Sequence, residues 1–182
     1  MADLIDELKR QIATPELPDL GPGPRANVLP QPVLHRFIDS FLDKSKLPSA
    51  NGELIRSLVL LWHDHLEAAH RIAQNIDNAD GSFVHGILHR REPDYSNAKY
   101  WFRRVGSHPC FPELAEKVAA LPGSNPGTKL VEKLVLHGEW DSIGFIDACE
   151  EASKRPVSDP QMRLLREIQR IEFELLLESF CR

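Results

Sequence analysis

Residues 159–180, DPQMRLLREIQRIEFELLLESF, set Leu164, Ile168, Ile171 and Leu175 in one row at helical spacing. Phe173, Leu177 and Phe180 form a second row displaced around the axis. A helix apolar on two rows is either central in a bundle or shared between two copies of the chain, so both a monomer and a homodimer fit. Upstream, the same period recurs over 32–45, 51–76, 81–91, 95–105, 112–121, 128–137 and 140–153, and no run alternates as a strand would. The expectation is an all-α fold, a single-domain helical bundle. Its punctuation agrees. Pro112 suits a first helical turn, Thr128 can cap the helix that follows, and Gly138 can end it in a left-handed conformation. Ser158 and Gln161 have the spacing of a capping box, with Pro160 inside the first turn.

The N-terminal part differs in kind. Leu4, Ile5, Leu8 and Ile12 predict a short amphipathic helix over residues 2–13. From Thr14 to Pro32 the chain then carries six of its fourteen prolines together with Gly21 and Gly23, so no helix or strand ladder can run through it. Residues 1–32 therefore read as a short helix and a proline-rich N-terminal arm, and residues 33–182 as the helical domain. The arm either reaches a neighbouring subunit or packs on its own domain. Because it adds only one short helix, the rest of the chain is expected to fold without residues 1–30.

A length of 182 residues suits one domain, and 42% hydrophobic with 27% charged residues excludes disordered and collagenous classes. The net charge of -5 argues against nucleic acid or an acidic membrane surface as partner. The start, MADLIDELKR, has acids where a secretory signal has bases. The longest apolar run, Leu58 to Trp62, falls far short of the roughly 20 residues that cross a bilayer, so a cytoplasmic location is expected. Cys110, Cys149 and Cys181 are odd in number and widely spaced, which suits reduced, buried thiols.

Chemistry-bearing residues concentrate between Trp62 and His108, which hold six of the eight histidines and both tyrosines. In WHDHLEAAH (62–70), read within one continuous helix, His65 joins the apolar stripe while Glu67 and His70 face a solvated flank. Glu67 and His70 have the ExxH spacing of carboxylate-bridged di-iron bundles, but no second ExxH occurs. In DGSFVHGILHRRE (80–92), His85 and His89 are four apart and share a helical face, a two-ligand platform for a divalent metal such as zinc. His65 is the favoured third ligand, with Glu92 and His108 as alternatives. In EPDYSNAKYWFRRVGSHP (92–109), Pro93 and Asp94 turn the chain into a helical hairpin that returns Arg103 and Arg104 toward Gly81 and Ser82. A helix N-terminus beside arginines suits a small polar or anionic ligand, so Ser82, His85, His89, Arg103 and Arg104 form the expected ligand set. Asp80 and Asp77 can instead satisfy the same helix start and arginines internally.

The run HGILHRREPDYSNAKYWFRRVGSHPCF (85–111), with LWHDHLEAAHRIAQNID (61–77) before it, resembles an uncharacterised group of bacterial and fungal helical proteins. The resemblance covers Leu61 to Phe111 and implies that this block is the functional core; it implies no activity. The chain contains no GxSxG, GxxxxGK[ST] or GxGxxG motif, so whether it is an enzyme stays open. Two readings stand: a protein binding a small polar or anionic ligand, with or without a divalent metal, and a non-catalytic interaction or structural module whose cluster only specifies the core.

Overall fold

The amphipathic segments fold into helices wherever their period is uninterrupted. In the computed structural model, which describes residues 2–121, 125–156 and 158–182, these are α1 (Ala2–Ile12), α2 (Gln31–Ser45), α3 (Ser49–Trp62), α4 (Leu66–Ala73), α5 (Ala79–Arg91), α6 (Tyr95–Val105), α7 (Phe111–Ala119), α8 (Asn125–Leu134), α9 (Ser142–Ala152) and α10 (Pro160–Phe180). None of them is long and apolar enough to cross a membrane. The all-α class is as expected. The two-row helix α10 packs against α1, α3, α7, α8 and α9, with Ile168, Phe173 and Leu176 fully buried. The cysteines Cys110, Cys149 and Cys181 are free and buried.

Three local expectations are corrected. The segment read as one helix over 51–76 is two, α3 and α4, separated at His63–His65, where Asp64 has φ +62°. Gly138 does not end a helix: His137 (φ 53°) and Gly138 (φ 81°) form the two-residue turn of a hairpin between β1 (Val135–Leu136) and β2 (Glu139–Trp140). Two successive positive φ values match the right-handed twist of paired strands. The cap of α10 is Asp159, whose carboxylate accepts from the Gln161 N–H, rather than Ser158. Thr128 falls within α8, and its side chain lies outside the described residues.

Residues 13–30 carry no helix or strand, as their prolines require, yet they are tied to the domain along their length. Leu8, Ile12 and Leu20 are buried in the same hydrophobic core as α3, α5 and α10. Gln169 donates to the Pro18 and Asp19 carbonyls, and Arg91 to the Gly21 carbonyl. Leu29 is held by two histidines, its N–H donating to Nδ1 of His63 (3.2 Å) and its carbonyl lying 2.7 Å from Nε2 of His65. The centre of the attachment is Asp64, whose carboxylate accepts from the Arg25 N–H at 2.8 Å, Arg25 Nε at 3.0 Å and Arg91 Nη2 at 2.6 Å. Burial works against that carboxylate's charge, but Arg91 and Arg25 hold its pKa below the usual value. Such saturation is what lets an interior charge persist. This packing runs against the expectation that the chain folds without residues 1–30.

The α5–α6 hairpin is unusually tight. A Cβ on Gly86 would lie 2.6 Å from the Phe102 ring, so only glycine allows α6 to approach α5 this closely. The pair is pinned to α10 by Arg90, buried and bonded to Glu172 and Gln169, with its guanidinium 4.4 Å from the centre of the Phe145 ring. Arg90 and Arg91 are thus core fasteners rather than groups open to a ligand.

Candidate metal centre

One turn of α5 separates His85 from His89, so the two imidazoles lie on one face with nearly parallel planes, 20° apart and 4.8 Å between centroids. Trp101 of α6 stacks on the far side of His85 at 4.0 Å, which fixes that ring's orientation. Helix α4 crosses over this face and supplies His70, whose Nε2 lies 2.8 Å from Nε2 of His85. One ligand nitrogen from each of His70, His85 and His89 lies within 4.8 Å of the other two, and among the described residues no other set of His, Cys, Asp and Glu converges in this way. His85 and His89 are buried, whereas a third of the His70 side chain is exposed.

Burial, together with the neighbouring histidines, depresses His85 to a pKa of about 4. Burial likewise lowers His89, against an opposing pull from Glu92. Both rings are therefore neutral at pH 7, the form that offers a lone pair to a metal. Glu92 lies beside the cluster, Oε2 at 3.2 Å from Nδ1 of His89 and Oε1 at 4.0 Å from Nδ1 of His70. The Asn97 side-chain nitrogen lies 3.2 Å from Nε2 of His89.

The structure joins His85 and His89 as the spacing predicts, and takes the third nitrogen from His70, not from His65. His65 is turned toward Leu29 at the other end of the α3–α4 break. His108 is also elsewhere, its Nε2 2.9 Å from Asp80 and its Nδ1 accepting from the Cys110 N–H. Reading 51–76 as one helix carried the phase of α3 into α4 and put His70 on the solvated flank. With the helix cut at Asp64, Leu66, Ala69 and Ala73 define the buried stripe and His70 stands at its border, facing α5. No local motif marks that cut. Asn97 and Trp101 carry no comparable signal in the sequence, because their contacts depend on how closely α6 packs.

The parts of the expected anion site are largely engaged with one another. Asn78 caps α5 by accepting from the Gly81 N–H, and the Ser82 N–H bonds to the Asn78 carbonyl. Ser82 is buried. Arg104 pairs with Asp77 at 2.8 Å, its guanidinium 5.4 Å from the centre of the Trp101 ring, while Arg103 is exposed on the flank that also carries Lys99 and Glu150.

No family model, curated protein or solved structure matches this chain.

Proposed function

We propose that this protein binds one divalent transition metal through His70, His85 and His89. The observation that carries this reading is the convergence of three imidazole nitrogens from two helices. The donor set speaks to the kind of metal. Three imidazole nitrogens without a thiolate suit Zn²⁺, Co²⁺, Ni²⁺, Cu²⁺ or Fe²⁺, whereas Mg²⁺ and Ca²⁺ favour oxygen. The packed core already supports the fold, so the metal's role is to bind and polarise a small polar or anionic ligand rather than to hold the chain together.

Calorimetric titration of the chelator-treated protein with ZnCl₂ tests the reading. One equivalent should bind, His70→Ala or His85→Ala should abolish binding with the helical circular dichroism unchanged, and His65→Ala should leave it intact. No zinc uptake by the parent protein would refute the reading. It would leave the second reading, a structural module, supported by the His70–His85 contact, which two neutral rings can satisfy as donor and acceptor without a metal.

A further inference from the structure

Glu92 is the nearest carboxylate to the three histidines, and its position within the cluster decides whether the metal site is closed or open. The two nitrogens of an imidazole lie on different edges of the ring. His70 meets His85 through Nε2, at 2.8 Å, while the edge of His70 that carries Nδ1 is the one turned toward Glu92. His89 presents the same edge, Nδ1, to the same carboxylate. Glu92 thus lies on the edge of His70 opposite the one that meets His85. Consistent with this, the group whose ligand atoms converge contains the three histidines and does not include Glu92.

Resting on the metal reading above, we infer that Glu92 is an outer carboxylate which orients His89, 3.2 Å from its Nδ1, and that the metal keeps a fourth position for water or a small anion. A carboxylate accepting from Nδ1–H fixes the tautomer that presents Nε2 to the metal and raises the basicity of the ring. Three protein ligands with one remaining position is the arrangement of metal sites that bind exchangeable ligands, as opposed to the four-ligand arrangement of structural sites. Solvent reaches the cluster at His70 and Glu92, each with about a third of its side chain exposed. Asn97 flanks His89 from α6, its side-chain nitrogen 3.2 Å from Nε2 and 3.4 Å from Nδ1 of that ring.

Cobalt(II) loading followed by titration with sodium azide tests this, because the visible spectrum of Co²⁺ reports the coordination number directly. The expected result is a bound-cobalt spectrum that azide shifts in the parent protein. Glu92→Gln should retain an azide-responsive spectrum while binding cobalt about 10–100-fold more weakly, and Glu92→Ala should bind more weakly still. A parent spectrum indifferent to azide, with Glu92→Gln becoming responsive, would show that Glu92 fills the fourth position and would overturn the inference. Equal cobalt affinity in the parent and both variants would also overturn it, since an orienting carboxylate cannot be removed without cost. Failure of the parent protein to bind cobalt at all would instead strike at the metal reading itself.

Discussion

Replacing Asp64 with alanine removes a carboxylate that pairs with two interior arginines. The Arg91 side chain is 0% exposed and that of Arg25 is 4% exposed. Deleting one partner of a buried ion pair typically costs about 3–5 kcal/mol, because the remaining charge stays desolvated. Both arginines keep carbonyl partners, Arg91 those of Leu61 and Gly21 and Arg25 those of Trp62 and Glu16, which places the expected loss near the low end, about 3 kcal/mol. The backbone adds to it. At φ +62° an alanine is disfavoured by about 1 kcal/mol relative to glycine, so Asp64→Ala should lose about 4 kcal/mol and Asp64→Gly about 3. Asp64→Asn should lose least, since asparagine tolerates this conformation and retains one acceptor oxygen. For a chain of this length 1 kcal/mol corresponds to roughly 2–4 °C, so Asp64→Ala should lower Tm by roughly 8–16 °C. Thermal and urea unfolding, followed by circular dichroism, measure both quantities. A loss below about 1 kcal/mol for Asp64→Ala would refute the view that this carboxylate fastens the N-terminal segment to the core. Equal losses for alanine and glycine would refute the conformational part alone.

Deleting residues 1–30 should abolish or broaden the cooperative melt, because it exposes the surface under Leu8, Ile12 and Leu20 and strips partners from Arg91 and His63; an unchanged melt would show the segment to be dispensable. Gly86→Ala gains about 1 kcal/mol of helix propensity but drives a methyl group into the buried Phe102 ring, an overpacking cost of about 1–3 kcal/mol, so a net loss of about 1 kcal/mol and weaker zinc binding are expected; a stabilised variant would disprove the close α5–α6 contact. Burial, with the nearby Arg25 charge, outweighs the Gln11 carbonyl and holds the His63 pKa below 6.5. The unfolded chain therefore takes up a proton first on acidification, and the His63 contribution is complete above pH 6.5 and declines as pH falls through the lowered folded value. Urea unfolding at pH 7.5 and 5.5 should show a smaller decline for His63→Gln than for the parent, and parallel declines would count against the assignment. Ile168→Ala in α10, at a fully buried position, should cost on the order of 2–5 kcal/mol by denaturant titration, whereas a value under 1 kcal/mol would place that row at the surface.

The amino-acid sequence alone determined the all-α class and most of the helices. The two-row pattern of 159–180, the turn at Pro93–Asp94 and the His85–His89 pair are relations among residues within a few positions of one another, which local geometry converts directly into structure. Tertiary structure decided the rest, and Asp64 shows why. Its left-handed backbone, which divides α3 from α4, is fastened by Arg25 and Arg91, 39 and 27 residues away along the chain. Only those distant partners make the division favourable, so the residues around Asp64 read as continuous helix. The same division sets the rotation of α4, which carries His65 toward Leu29 and His70 toward His85, 15 residues further along the chain. The ligand pair on α5 was legible because one helix contains it. The third nitrogen was not, because its direction depends on a buried charge cluster that forms only when the N-terminal segment, the α3–α4 break and α5 meet in space.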